Sequence, residues 1–123
     1  METKNIMERV KTIEDAFEVT GRPKVDFSNV PEDLRAYFEN QYNAVVVTEA
    51  LNEGYQPNWD NSRELKWRPW FVMSPWSFRV HDAGCGSSYA AAGAGSRLCS
   101  PSEEIAEYSA RQFKDIWRGV QLG

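Results

Sequence analysis

The residues with the most chemistry to offer lie in the short run Gly95-Ser96-Arg97. Glycine lets backbone N–H groups come close to an anion, a serine hydroxyl can donate to it, and an arginine presents a planar fork of donors that matches phosphate or carboxylate. The spacing is neither that of a Walker loop, Gly-x-x-x-x-Gly-Lys, nor that of a dinucleotide fingerprint. The same residues would also suit a hairpin turn whose arginine pairs with a helix carboxylate such as Glu103 or Glu104. Where Arg97 points, into a hollow or onto an acid, therefore separates a binding site from a turn.

Aromatic side chains are the second resource. Trp59, Trp67, Trp70 and Trp76, with Tyr55, Phe71, Phe78 and Tyr89, all fall between Tyr55 and Cys99. Large rings supply much of a small domain's buried area, so most belong to the core. Trp67, Arg68 and Trp70 alternate around Pro69, however, and a two-faced strand turns at least one of these rings outward, where it can stack on a planar ligand or a partner. Arg79 and Tyr89 join them as candidate ligand contacts from the same middle segment. His81, Asp82, Cys85 and Cys99 have the residue types of a metal site or of a cysteine nucleophile with its base. They lack the paired Cys-x-x-Cys or His-x-x-x-His spacing of a structural zinc, and a lone cysteine and histidine are too common to define catalysis. No metal, no cofactor and no catalytic residue is expected.

Charge sorts the candidates by position. Over the stretch from Tyr55 to Cys99 the five bases Arg63, Lys66, Arg68, Arg79 and Arg97 outnumber the three acids Asp60, Glu64 and Asp82, giving +2, while the whole chain carries -4. The ends are acidic and the middle mildly basic, so an anionic ligand belongs in the middle. The negative total argues against a general affinity for nucleic-acid backbones.

The elements that must hold these residues are legible from periodicity and punctuation. One domain is expected for 123 residues, with 41% hydrophobic and 26% charged side chains, an ordinary globular composition. Ile6, Val10, Ile13 and Phe17 predict an amphipathic helix that stops at Gly21 and Pro23. Ser28, Asn29 and Pro31 predict the start of a second helix, which runs through Val45-Val46-Val47 to Asn52-Glu53-Gly54. Lys66–Met73 reads as a strand, at an edge or bulged because Pro69 cannot donate to a ladder. Ser77–His81 alternates like a half-buried strand, and Tyr89–Ala92 and Arg97–Cys99 are weaker strand candidates. Ser100-Pro101-Ser102-Glu103 has the form of a capping box with proline at the first helical position, so a last helix is expected over 101–120. The fold class is then α+β: a helical part over 3–54 holding two helices, a small antiparallel sheet within 65–99, and a C-terminal helix packed on the sheet. Apolar runs such as Ala44–Val47 are far short of a span, and the N-terminus lacks a secretory h-region, so no membrane and a cytoplasmic location are expected.

The motifs Ala50-Leu51-Asn52-Glu53-Gly54-Tyr55-Gln56-Pro57, Arg68-Pro69-Trp70-Phe71, Gly95-Ser96-Arg97-Leu98-Cys99, Glu107-Tyr108 and Gln112-Phe113, in that order and over roughly residues 34–118, resemble small accessory proteins encoded by phages and prophages of gut Bacteroidota. The resemblance implies a phage-related protein acting in the infected bacterial cell and supplies no activity. Pro69, Trp70, Gly95, Ser96, Arg97, Leu98 and Cys99 sit in the shared motifs; His81, Asp82 and Cys85 fall in a variable stretch, which weakens a metal or Cys-His mechanism further.

Together these readings lead to a non-enzymatic binding protein that captures a small anionic, nucleotide-like molecule, as a sponge for an immune signal would. Arg97 would pair with phosphate, Ser96 and the backbone at Gly95 would donate to it, and Trp67 or Trp70 would stack on the base. Arg68, Arg79 and Tyr89 complete the expected site. A homo-oligomer is expected, because so small a core leaves little room for a deep pocket. A protein-interaction module that inhibits a host protein through exposed tryptophans is the first alternative, and single-stranded nucleic acid binding the second.

Overall fold

A computed structural model describes residues 5–73, 78–88 and 95–123. The elements in order are α1 (Ile6–Arg9), α2 (Ile13–Thr20), α3 (Glu32–Asn52), β1 (Lys66–Met73), β2 (Phe78–Gly86), a 3-10 turn (Ser96–Leu98), α4 (Glu103–Gln112) and α5 (Lys114–Leu122). The fold is α+β, with a two-stranded antiparallel sheet and the C-terminal helices packed against it.

The first amphipathic stretch, expected as one helix, is two. Thr12 restarts the helix with a capping box: its Oγ1 accepts from Asp15 N at 3.1 Å, and Asp15 Oδ2 accepts from the Thr12 and Lys11 N–H groups at 3.2 and 3.1 Å. The carbonyls released by the break find side-chain donors on α4. Tyr108 Oη shares its one proton between the Met7 and Val10 oxygens, 2.8 and 2.6 Å away, and Gln112 Nε2 donates to Lys11 O at 2.8 Å. The stop at Gly21 is as predicted, with a left-handed φ of 71°.

Helix α3 is the centre of the molecule. Its second half buries Ala44, Val46, Val47, Thr48, Ala50 and Leu51, with α2 and α5 packed along it. The β-branched trio is helical because full burial of Val46 and Val47 is worth about 1.5–3 kcal/mol each, with Val45 partly buried beside them, against a helix-propensity deficit of at most about 0.7 kcal/mol per residue. The expected N-terminal cap is absent: Pro31 precedes the first turn without a side-chain hydrogen bond. At the other end Glu53 itself takes the left-handed conformation (φ 49°, ψ 46°), followed by Gly54 at φ 89°.

Strand β1 spans the predicted residues, whereas β2 runs five residues beyond the predicted end at His81. Pairing runs from Lys66 opposite Gly86 to Met73 opposite Phe78, with a register shift after Trp70 that leaves His81 as the extra residue on β2. Among the described residues the sheet has two strands, so Pro69 stands on an edge strand, where it is tolerated. Phe71 turns inward, stacking on Phe78 at 4.6 Å and meeting Trp117 of α5 at 5.9 Å.

Two expectations after the sheet are corrected. Arg97–Cys99 is not a strand: Ser96–Leu98 form a 3-10 turn closed by Leu98 N donating to Gly95 O at 2.9 Å. Ser100 is not the helix cap either, because its backbone is taken up in a bridge with Trp67 (N–H···O 3.0 and 2.7 Å), which keeps Ser100 extended. The helix begins two residues later, with Ser102 Oγ accepting from Ile105 N at 3.2 Å. It also breaks at Phe113, whose buried ring sits at a non-helical φ of -114° and ψ of 37° between α4 and α5. The strand candidate Tyr89–Ala92 and the beginning of Ser77–His81 lie outside the described residues.

Candidate functional site

The polar segment after α3 is held by side chains that bond to its own backbone. Asn58 and Asn61 each accept from the N–H two residues on, Asp60 and Arg63, at 3.0 Å, forming successive Asx turns. Glu64 reaches back across the loop, where its Oε1 accepts from Asn58 N at 2.8 Å and from Tyr55 Oη at 3.0 Å. These donors hold the Glu64 carboxyl below its ordinary range, with the Asn58 N–H as the main cause. Burial first, and the neighbouring Glu64 second, push the Tyr55 phenol well above its own range.

Lys66, the first residue of β1, locks the loop to the sheet. Its side chain is 1% exposed. The ammonium donates to the carbonyls of Asn61, Glu64 and Ser87 at 3.0, 3.1 and 2.8 Å, lies 3.7 Å from Glu64 Oε1 and sits 5.0 Å from the centre of the Trp59 ring. Three protons meet three oxygens, which is the condition under which an ammonium can be buried. The Trp59 indole N–H in turn donates to Ser96 Oγ at 2.7 Å, tying the loop to the 3-10 turn.

Between these parts lies a cavity of about 330 Å³. Helix α3 contributes Val45, Glu49 and Asn52 to its wall, the loop contributes Gly54 to Pro57, and the 3-10 turn contributes Ser96 and Arg97. Arg97 is exposed and, among the described residues, makes no ion pair within 4 Å, neither with Glu103 nor with Glu104. Glu49 is engaged elsewhere: Arg22 grips it with two bonds, Nε to Oε2 at 2.8 Å and Nη2 to Oε1 at 2.7 Å. That contact chiefly, with a further attraction from Arg97, keeps the Glu49 carboxyl below its ordinary range. Arg22, which does not itself line the cavity, thus offsets the Glu49 charge on the wall that Arg97 shares.

The residues expected to form one site fall into two groups. Arg97 and Ser96 line the cavity, with Gly95 capping their turn. A side chain at Gly95 would meet nothing within 4 Å, so the turn does not depend on a close backbone approach there. Trp67, Arg68, Trp70 and Arg79 belong to the sheet and do not line this cavity, so the expected stacking of Trp67 or Trp70 beside Arg97 is not formed. Trp67 is half-buried under its bridge to Ser100, and Arg68 lies close enough to Cys99 to favour its thiolate, although burial dominates and pushes that thiol up. Trp70 is 62% exposed, 5.9 Å from the His81 ring and packed over Gly84. Arg79 is exposed on β2, and Tyr89 lies outside the described residues.

Tyr55, Asn52 and Glu49 are the cavity residues that sequence reasoning missed as site residues. Their signal was positional: Glu49 and Asn52 are one helical turn apart at the end of α3, and Tyr55 follows directly on the reversal at Glu53 and Gly54. Comparison of the chain with protein-family models, with curated proteins and with solved structures finds no match.

Proposed function

We propose that the cavity between the end of α3, the following loop and the 3-10 turn captures a small anionic, nucleotide-like molecule without transforming it. The observation that carries this reading is the exposed Arg97 guanidinium on the cavity wall, beside a Glu49 whose charge Arg22 already offsets. Arg97 pairs with the anionic group. The Ser96 hydroxyl, whose oxygen accepts from Trp59, still has its own proton to donate. The Tyr55 ring takes the place first expected of Trp67 or Trp70 as the aromatic surface. At about 330 Å³ the cavity stands at the small end of the range for ligand sites, about 300–1,000 Å³, which suits one nucleoside-sized group. A two-base ligand needs a second copy of the chain to complete its pocket, and the expected homo-oligomer has its reason there. The sequence resemblance gives the setting, a phage accessory protein that sequesters a signalling nucleotide of host defence.

The test is titration calorimetry and thermal shift against adenosine 5′-monophosphate, cyclic dinucleotides and ADP-ribose, with wild type and Arg97→Ala side by side. Binding by wild type that is lost in Arg97→Ala supports the reading; no binding by any of them, or equal binding by both proteins, counts against it.

A second reading rests on the sheet. Trp70 at 62% and Met73 at 49% exposure, with exposed Arg79 and His81, provide the residue types that dominate protein interfaces, and a host protein is the partner they suit.

A further inference from the structure

A second cavity, of about 200 Å³, lies between α2, α3 and the segment 21–31 that joins them, and shares no wall residue with the one beside Arg97. Three of its wall residues are aromatic: Phe17 from α2, Phe27 from the joining segment and Tyr42 from α3. All three are half-buried, and Phe17 and Tyr42 pack on the core. The Tyr42 ring centre is 6.0 Å from that of Phe17, with the planes inclined at 43°, and 6.2 Å from that of Phe27, at 62°. Phe17 and Phe27 make no ring contact with each other among the described residues, so Tyr42 joins two walls that stand apart. The third ring is held in place by the bonding of its segment. Tyr42 Oη donates to Pro23 O at 2.6 Å, Arg35 donates to the carbonyls of Ser28 and Val30 at 3.0 and 2.8 Å, and the Asp26 carboxylate accepts from Ser28 N and Oγ at 2.9 and 3.1 Å.

The charged groups on this wall are two acids, Glu14 and Glu39, and one base, Lys24. All three are exposed, and none makes an ion pair within 4 Å among the described residues. Lys24 does not sit over any of the three rings either, so the chain does not fill the hollow with its own cation. Ring faces carry the negative side of their quadrupole, and the acids outnumber the base, so the hollow attracts positive charge. The rings accept hydrogen bonds poorly, and a primary ammonium that entered would give up waters they cannot replace. A quaternary ammonium has no N–H to satisfy and presents a shell of methyl groups that packs on rings. We propose that the cavity binds a quaternary ammonium head group, such as that of choline or of a trimethylated lysine side chain. Phe17, Phe27 and Tyr42 surround the methyl groups, while Glu14 and Glu39 add attraction from the rim. The volume lies below the range of sites for drug-sized ligands, about 300–1,000 Å³, and suits a head group alone.

The test is an amide NMR titration of the full chain with choline, with 3,3-dimethylbutan-1-ol, which has the same shape and a carbon in place of the charged nitrogen, and with acetylated trimethyl-lysine amide and its unmethylated form. In wild type, choline should bind about tenfold more tightly than the neutral alcohol, the difference a cation over ring faces makes, and should shift the amides of Phe17, Phe27 and Tyr42. Trimethyl-lysine should likewise exceed unmethylated lysine; whichever methylated form binds better names the source of the head group, and either order supports the site. Phe27→Leu keeps an apolar wall without the ring and should erase the preference for choline over the alcohol. Arg97→Ala should bind choline as wild type does, whatever becomes of the anion site. Equal binding of choline and the alcohol reduces the cavity to an apolar hollow and overturns the proposal. Equal binding of methylated and unmethylated lysine overturns it by leaving charge alone, and so does the absence of any shift at the three rings. The comparisons on wild type decide the matter should Phe27→Leu not fold.

Discussion

The corner around Arg97 and the outer part of the sheet around Trp70 hold similar residues and differ in how those residues are held. Each has an exposed arginine and a large ring nearby. At the corner, Lys66, Glu64, Asn58 and Trp59 spend their polar atoms on the backbone and on Ser96, so that a loop without regular structure has a defined shape and encloses a hollow against α3. On the sheet, Trp70, Arg79 and His81 stand on two strands with solvent in front of them. Residue types alone would rank the tryptophans first. Enclosure ranks Arg97 first, because a charged group gains most where water is partly excluded and its neighbours are already satisfied.

The contrast can be broken most severely at Lys66. Lys66→Met keeps the apolar stem but leaves three carbonyls without their donor, and urea unfolding should show a loss of about 3 kcal/mol. Ligand binding at the cavity should disappear with it under conditions where the variant remains folded. An unchanged midpoint would mean that the loop holds itself together in some other way. Thr12→Ala, far from both regions, should cost about 1 kcal/mol through its capping box, without altering ligand binding; a larger binding effect there would deny the corner its independence.

Acid should loosen the corner in a defined direction. Glu64 and Glu49 have folded-state values below the ordinary glutamate value of 4.5. Their stabilisation is therefore complete above that pH and is lost as pH falls through the lowered values. Melting temperature should decline below about pH 4.5, and Glu64→Gln should flatten that decline. A profile identical in wild type and variant would remove Glu64 from the account. The smallest effect is expected on the sheet: Trp70→Ala should change stability by less than about 0.5 kcal/mol, as exposed substitutions usually do, and should leave nucleotide titrations unaltered. Loss of ligand affinity in that variant would join the two regions that the structure separates.

How much of this could be read from the sequence depends on the range of the interaction that decided each feature. The stop at Gly21, the strand Lys66–Met73 and the helical Val45–Val47 follow from local conformation and hydrophobic pattern, and all three are as predicted. Where a distant partner intervened, local signals misled. Ser100 has the sequence of a cap, yet Trp67 draws its backbone into a bridge, and the helix waits for Ser102. The restart at Thr12 was written in Thr12-x-x-Asp15 but hidden under an unbroken apolar stripe, and Tyr108 and Gln112, about a hundred residues away, make the break tolerable. The site divides in the same way. Ser96 and Arg97 were visible by type, whereas Asn52 looked like a helix-terminating residue until Cys99 was brought against it.

The sealed amine of Lys66 also makes the chain its own reporter. Enzymes and reagents that acylate lysines need the nitrogen free and uncharged, and this one is wrapped in carbonyl oxygens with 1% of its side chain in contact with solvent. Lys11, Lys24 and Lys114 stand in the open and should be labelled at once. Lys66 should acquire a tag only at moments when the loop lets go, so the ratio of its labelling to theirs measures how often the corner opens.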